Sequence, residues 1–113
     1  LANSSFSLPA FFADSECVWH CYGIESDERD RLRRVLHDQG IETGLHYPLP
    51  VHLQKAYASL GYRRGDLPVT ETLCQRCLSL PMYPELTEEQ ISTVASALCE
   101  NTRAKIVPQT HTG

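Results

Sequence analysis

The stretch GIETGLHYPLPVHLQKAY, residues 40–57, constrains the fold of this 113-residue chain more than any other. Each of its two prolines fixes its own φ and pushes the preceding residue out of the right-handed helical region. The stretch therefore predicts neither a long helix nor an ordinary strand but a stiff connection, residues 44–51, which we call the arm. The arm can hold His46 and Tyr47, an imidazole and a phenol, away from the rest of the domain. A connecting loop whose polar groups meet water fits the same spacing.

The composition is that of one soluble domain with a modest core, with 42% hydrophobic and 21% charged residues. The net charge of −4 argues against nucleic acid or an anionic membrane as the main partner, because neither attracts an acidic surface. Four arginines between positions 29 and 34 are interleaved with acidic residues. This pattern is typical of a solvated helix face rather than a binding patch.

The ends of the chain and its cysteines predict its location in the cell and the limits of the domain. No basic leader or long apolar run precedes Cys17, so we expect neither a signal peptide nor a membrane span, and a cytoplasmic location. The missing initiator methionine predicts that the chain begins inside a longer protein. Five cysteines without a secretory signal favour reduced thiols over a disulfide framework. Residues 101–113 lack periodicity and predict a flexible tail after a domain of residues 1–100.

An α/β order of elements is predicted. The aromatic and β-branched content of CVWHCYGI, residues 17–24, favours a strand. Asp27 is the predicted cap of a helix that Gly40 ends, with Leu32, Val35 and Leu36 as its apolar stripe. A short strand at residues 41–43 would lead into the arm, and a brief helix at residues 52–60, stopped by Gly61, would follow it.

The second half of the chain has clearer helix signals. Pro68 predicts the start of a helix that runs to about Cys77, followed by an extended stretch up to Pro81. Thr87 with Gln90 has the sequence of a capping box, and apolar residues at helical spacing predict a helix from there to about Cys99.

Two other kinds of site compete with the arm. The first is a zinc site, because pairs of cysteines at short spacing are common zinc ligands. Strand and helix geometry argue against it, since residues four apart on a strand lie roughly 13 Å apart while thiolates on one zinc nearly touch. The second is a cysteine nucleophile paired with His20 or His37, which has no local sequence signature. The four cysteines of the zinc alternative are Cys17, Cys21, Cys74 and Cys77.

Four segments and Glu71 carry a family resemblance by their order and intervals. The segments are WHCYGI (19–24), RDRLRRVLHDQGIETGLHYPLPVHLQKAY (29–57), LGYRRGDLP (60–68) and LSLPMYPELTEEQI (78–91). From about Phe6 to Leu98 the chain resembles the C-terminal part of the DegT/DnrJ/StrS family of sugar aminotransferases. The resemblance implies an α/β fold, the small C-terminal domain of the aspartate-aminotransferase fold, with a short, mainly antiparallel sheet covered by helices.

The resemblance also implies an activity for the longer protein. Family members use pyridoxal phosphate to move an amino group, usually from glutamate, to the keto carbon of a sugar nucleotide, and they form homodimers. Their Schiff-base lysine lies in an N-terminal large domain that this sequence lacks, and neither Lys55 nor Lys105 stands in its place. We therefore expect the chain alone neither to bind the cofactor covalently nor to transaminate. A stand-alone binding or regulatory module and a small zinc-bound interaction domain remain alternatives.

Substrate-binding residues follow from the resemblance residue by residue. It places His46, Tyr47 and His52 at the substrate-binding site, with His46 and Tyr47 at its mouth. His52 and Gln54 also fit a role in bracing the arm. It gives SLPMYP, residues 79–84, and Trp19 structural roles, Trp19 in the core. No catalytic, covalent cofactor-binding or metal-binding residue is expected in this chain.

Overall fold

The computed structural model describes residues 5–105, and for residues 103–105 it describes the backbone alone. Two short 3₁₀-helices, Val51–Leu53 and Lys55–Leu60, follow the arm. Four strands and three α-helices complete the fold of residues 5–105. In chain order they are β1 (Ser5–Ser7), β2 (Tyr22–Ser26), α1 (Arg29–Asp38), α2 (Pro68–Arg76), β3 (Cys77–Leu80), α3 (Glu88–Asn101) and β4 (Arg103–Lys105).

The strands form one sheet in the order β3-β2-β1-β4. β2 pairs antiparallel with both β1 and β3, while β4 pairs parallel with β1. α1 lies against β2 and β3 and also contacts α3, and α2 contacts β2. The prediction of a small α/β domain with a mainly antiparallel sheet is confirmed. In the described part of the chain, no helix has the length and apolar character needed to cross a bilayer.

The core lies between the sheet and α1 with α3. Leu32 and Leu36 are four residues apart, so both face the sheet from one side of α1, and both are fully buried. They meet Ile24 of β2 and Leu78 of β3, which are equally inaccessible. Phe6, Ile41, Ala97 and Leu98 complete the buried cluster.

The helices of the second half follow their sequence signals. Pro68 occupies the first turn of α2. The Thr87 hydroxyl accepts a hydrogen bond from the Gln90 backbone N–H, and the Gln90 side chain accepts one from the Thr87 N–H, so the capping box before α3 is confirmed. Gly61 ends the second 3₁₀-helix with a positive φ of 76°, as its position predicts.

The start of α1 differs from the prediction. The residue before the helix is Glu28, and no side chain caps it, so Asp27 is not the N-cap. Ser26 accepts a hydrogen bond from the Glu28 N–H instead. Arg29 does not belong to a solvated face either, because its side chain is 10% exposed and donates to the carbonyl oxygens of Cys74 and Cys77. The end of α2 lies beside the start of α1, and a sequence pattern cannot show this.

The strand predictions need correction at two places. β2 begins at Tyr22, so residues 17–21 precede the strand that they were expected to form. Trp19 is half-buried outside the core cluster and packs on Phe11 and Tyr22. Residues 41–43 form no strand, and a single bridge joins Gly44 to Ser79. In both places the aromatic or β-branched residues favour a strand. In the structure, none of the strand pairs includes residues 17–21 or 41–43.

The predicted start of the tail is also wrong. Asn101 ends α3, and Arg103–Lys105 form β4 beside β1. Three residues are too few to show strand periodicity, and the pairing partner lies almost a hundred residues away in the sequence. The rest of the predicted tail, residues 106–113, lies outside the described residues.

Candidate functional site

Two backbone hydrogen bonds join the start of the arm to the sheet. The Gly44 N–H donates to the Ser79 carbonyl oxygen at 2.9 Å, and the Ser79 N–H donates to the Gly44 carbonyl oxygen at 2.8 Å. Ser79 lies in β3, whose other edge pairs with β2. The start of the arm is therefore fixed to the edge of the sheet.

The imidazole of His46 lies against this contact. Its Nδ1 is 2.9 Å from the Ser79 hydroxyl oxygen, within hydrogen-bonding distance. The ring also covers Gly44, since a Cβ at that position would lie 2.7 Å from Cε1 of His46. His46 is thus solvent-accessible and attached to the sheet at the same time.

Tyr47, the next residue, is also solvent-accessible. It is 67% exposed, and its ring makes an edge contact with the His46 ring at a centroid distance of 5.5 Å. The chain bends at His46, Pro48 and Leu49, so the arm is not straight, and Pro50 at its far end is buried. The structure therefore brings the imidazole and the phenol together on a short projection from the sheet edge.

A shallow groove of about 270 Å³ lies beside His46. His20 lines it from the segment before β2, and Met82 lines it from the segment after β3. The groove is lined by hydroxyls, imidazoles and backbone groups, which can donate to phosphate or sugar oxygens, and also by a thiol and the Glu42 carboxylate, which can accept from sugar hydroxyls. His37, the other histidine considered for nucleophilic chemistry, instead contacts Glu42 at 2.9 Å between Nδ1 and Oε1.

His52 is placed differently from His46. It is 8% exposed, and its Nε2 lies 3.5 Å from Oε2 of Glu71, an ion-pair distance. Its ring also makes an edge contact with Tyr62. Within residues 5–105 neither ring nitrogen of His52 has a hydrogen-bond partner. His52 therefore lies buried between the first 3₁₀-helix and α2, and both its expected place at the substrate-binding site and its bracing role stay predictions.

Glu71 organises the turn before α2. Its two carboxylate oxygens accept hydrogen bonds from the Gly65 N–H, and one also accepts from the Leu67 N–H. The Gly65 N–H is the main cause of a lowered pKa for the Glu71 carboxyl; burial opposes it, and Leu67 and His52 add to it. A charged carboxylate therefore holds the chain that follows the arm.

The cysteines do not have the arrangement assumed for them. Cys17 lies outside the strand, and Cys77 begins β3 rather than continuing α2. Cys17 and Cys21 are exposed, Cys74 and Cys77 are half-buried, and burial raises the pKa of the Cys74 thiol. Among the residues described, no three His, Cys, Asp or Glu side chains form a group suited to a metal ion. The expected lack of a metal remains a prediction.

The chain has two lysines, and the structure describes the side chain of one of them, Lys55. Lys55 lies exposed on the second 3₁₀-helix, and Lys105 lies in β4 at the far edge of the sheet. A lysine that forms a Schiff base needs a desolvated position aimed at the cofactor. Lys55 does not have one.

Ser79 and Gly44 are site residues that sequence reasoning missed. Ser79 lies in SLPMYP, which was expected to have only a packing role, yet its hydroxyl contacts His46. Gly44 carries no turn signal, and its φ is not positive. Both residues gain their role because two segments more than thirty residues apart pair with each other. No local sequence pattern predicts this pairing.

Two solved structures resemble the fold and cover most of it. The structure of S. venezuelae DesV, in complex with a ketimine intermediate, is 40% identical with a TM-score of 0.80, over 84% of this chain and 26% of that chain. NtdA from Bacillus subtilis, with bound cofactor PMP, is 29% identical with a TM-score of 0.70, over 84% of this chain and 22% of that chain. The fold is the small C-terminal domain of aspartate-aminotransferase-like sugar aminotransferases.

Sequence comparison gives the family. The model of the DegT/DnrJ/EryC1/StrS aminotransferase family matches residues 2–99, so this chain belongs to that family. It is 49% identical over 83 residues to a "Pleiotropic regulatory protein" of Geobacillus stearothermophilus, covering 74% of this chain and 22% of the relative. It is 41% identical over 93 residues to the dTDP-3-amino-3,4,6-trideoxy-alpha-D-glucose transaminase of Streptomyces venezuelae, covering 82% of this chain and 24% of the relative. The chain thus spans about a quarter of the length of these relatives.

Proposed function

We propose that this chain is the C-terminal domain of a pyridoxal-phosphate-dependent aminotransferase that moves an amino group from glutamate to a keto sugar nucleotide. Family membership and the similarity to a transaminase of a dTDP-linked sugar support the reaction class. The product class is an amino sugar for a polysaccharide or an antibiotic. The protein works in the cytoplasm, where nucleotide sugars are made, and its acidic chain has no role in binding nucleic acid or membranes.

The observation that carries this proposal is the pair His46 and Tyr47 on the arm. His46 is held at the sheet edge by Ser79, and Tyr47 is two-thirds exposed beside it. An imidazole can donate a hydrogen bond to a phosphate or a sugar hydroxyl. A phenol can donate one as well, and its ring can stack on a sugar or base. The two side chains therefore bind and orient the sugar nucleotide, while His52 and Glu71 hold the chain behind them.

The chemical step belongs to the remainder of the protein. Pyridoxal phosphate supplies an electron sink for amino transfer when it is bound. This chain offers only an exposed Lys55 and the lysine of β4. It therefore does not transaminate alone, and mixing it with pyridoxal phosphate followed by borohydride leaves no single stoichiometric adduct. A specific adduct at Lys55 would contradict this view of the site.

The partner of the chain is the N-terminal large domain of the same protein, within a homodimer. Between positions 47 and 73 many large apolar side chains are exposed, and an apolar surface of this extent is typical of an interface. Val69 is 81% exposed and Leu60 is 64% exposed. The large domain or the second subunit covers this surface in the complete protein.

A regulatory module is the second candidate, because one of the relatives described above is called a pleiotropic regulatory protein. The two functions differ in what precedes the domain. A large domain that bears a Schiff-base lysine, encoded in frame upstream, supports the aminotransferase. Its absence supports the module.

The test of the proposal is to replace His46 with Ala in the full-length protein. Losing one hydrogen bond to a charged phosphate lowers kcat/KM for the sugar nucleotide by roughly ten- to a hundredfold. Tyr47→Phe keeps the ring and loses only the hydroxyl, so its effect is smaller. The fold and the cofactor absorbance of both variants stay unchanged.

The half-reaction with glutamate is the control within the same protein, because the amino donor carries no nucleotide for the arm to bind. It keeps its rate in both variants. If both half-reactions fall together, or neither changes, the arm is only a connecting loop.

A further inference from the structure

We propose that Gly44 and Ser79 are positioning residues for His46, which together set the orientation of its imidazole and leave Nε2 as the nitrogen that meets the substrate. The proposal rests on the proposed function for the identity of that ligand. The orientation itself depends only on contacts within this chain, so it can be tested separately.

The backbone places Ser79 directly opposite Gly44. Because these two residues exchange both of their backbone hydrogen bonds, they form a hydrogen-bonded antiparallel pair. Side chains of directly opposed residues lie on the same face. Gly44 has no side chain, so the space next to the Ser79 hydroxyl is left free on that face.

His46 fills that space. It lies two residues beyond Gly44, and its ring turns back toward the start of the arm. Its ring lies over Gly44, with an ideal Cβ at that position 2.7 Å from Cε1 and 3.2 Å from Nδ1. Real Cβ atoms essentially never show a non-bonded contact under 3 Å, so any side chain at position 44 must displace the ring. Glycine is therefore needed at position 44 to leave room for the ring. It is not needed for the backbone conformation, because the φ angle there is not positive.

The hydroxyl of Ser79 fixes the rotation of the ring. Nδ1 of His46 and Oγ of Ser79 are 2.9 Å apart. Whichever of the two atoms donates, Nδ1 is engaged and cannot meet a ligand. Nε2 is then the nitrogen available beside the groove, and this places one hydrogen-bonding atom at a defined point instead of two on a freely rotating ring.

The chain supplies a matched control for each substitution. Gly23 pairs with the other side of Ser79, and an added Cβ there meets nothing within 4 Å. Gly23→Ala is therefore the control for Gly44→Ala. Ser92 is exposed on α3, away from the arm, so Ser92→Ala is the control for Ser79→Ala.

The experiment measures the ring ¹⁵N and Hε1 NMR signals of His46 in this chain, assigned by their loss in His46→Ala, at a pH where imidazole is neutral. We expect Ser79→Ala and Gly44→Ala to shift these signals, while Gly23→Ala and Ser92→Ala leave them unchanged. The amide signals of Ile24 and Leu78 verify that each variant is folded. Should Gly44→Ala fail to fold, Ser79→Ala decides alone. Identical His46 signals in Ser79→Ala and Ser92→Ala would overturn the proposal.

Kinetics of the full-length protein test whether Ser79 acts through His46. We expect Ser79→Ala to lower kcat/KM for the sugar nucleotide by roughly two- to tenfold, the effect of one neutral hydrogen bond, and to leave the glutamate half-reaction unchanged. The double variant His46→Ala/Ser79→Ala then matches His46→Ala. A double variant that loses the product of both single effects would refute the positioning role. If His46→Ala itself has no effect, the proposed function fails, while the NMR result still decides the positioning.

Discussion

Two halves of this domain are held together by different forces. In the sheet half, formed by the four strands with α1 and α3, the central residues Ile24, Leu32, Leu36 and Leu78 are at most 1% exposed. In the arm half, residues 44–73, large apolar side chains remain exposed. They are Tyr47, Leu49, Val51, Tyr57, Leu60, Tyr62, Leu67, Val69 and Leu73.

Polar contacts give the arm half its shape. The backbone pair of Gly44 with Ser79 fixes its start, and Glu71 fixes its end through the N–H groups of Gly65 and Leu67. His52 lies between them, in contact with Glu71. The comparison teaches that apolar burial stabilises the sheet half, whereas directional polar contacts orient the arm half and leave its apolar side chains for a partner.

Leu78→Ala tests this difference with the largest expected effect. Leu78 is fully buried, so the truncation removes transfer free energy and leaves a cavity, and the free energy of unfolding falls by about 2–5 kcal/mol. Leu60→Ala makes the same chemical change at a side chain that is 64% exposed, and it changes stability by no more than about 0.5 kcal/mol. Urea unfolding of this chain measures both. Equal losses would show that the arm half contributes to the core and would break the comparison.

Glu71→Gln has the next largest effect. An amide has one acceptor oxygen and cannot replace a carboxylate that accepts from two N–H groups through both oxygens, so the melting temperature falls. We expect a decrease smaller than that of Leu78→Ala. Loss of the His52 contact to Tyr62, seen in the aromatic NMR signals, shows that the change is centred on the arm half.

The stabilisation that the Glu71 carboxylate provides depends on pH, and the direction of its pKa shift sets the sign. The pKa of Glu71 is lower in the folded chain than its ordinary value of 4.5, chiefly because of the Gly65 N–H. The stabilisation is therefore complete above that value and is lost as the pH falls through the lowered one. The melting temperatures of wild type and Glu71→Gln converge in acid. Glu85→Gln, in an exposed loop, controls for the loss of one negative charge.

Thr87→Ala has the smallest expected effect, and it tests the sheet half instead of the arm half. It removes the hydroxyl that accepts from the Gln90 N–H, which costs about 0.5–2 kcal/mol for a typical N-cap. The loss affects the sheet half, because α3 contributes Ala97 and Leu98 to the core. The NMR signals of His46 stay unchanged. A shift of those signals would show that the two halves are coupled through α3.

Local sequence signals predicted the elements that depend on their own residues. The capping box before α3, Pro68 at the start of α2 and Gly61 at the end of a 3₁₀-helix all act within a few residues of chain. The same is true of Leu32 and Leu36, whose spacing selects one helix face. The family resemblance added the fold class and the expectation for His46 and Tyr47.

Predictions that depended on distant partners were wrong. Asp27 contacts Arg76 and caps nothing, and Arg29 is nearly buried against the end of α2. Residues 103–105 form a strand because β1 offers them its edge. Each outcome depends on a neighbour more than forty residues away, and no local pattern contains that neighbour.

The sequence by itself determined the helices, the capping box before α3 and the proline-rich arm, because φ restriction, side-chain spacing and capping act locally. Only the tertiary structure decided what the arm's residues contact. It placed His46 over Gly44 and against Ser79, and it buried His52 beside Glu71. These contacts arise when segments distant in sequence pair at one edge of the sheet, and the physical reason is that a hydrogen bond or a steric contact is decided by distance in space.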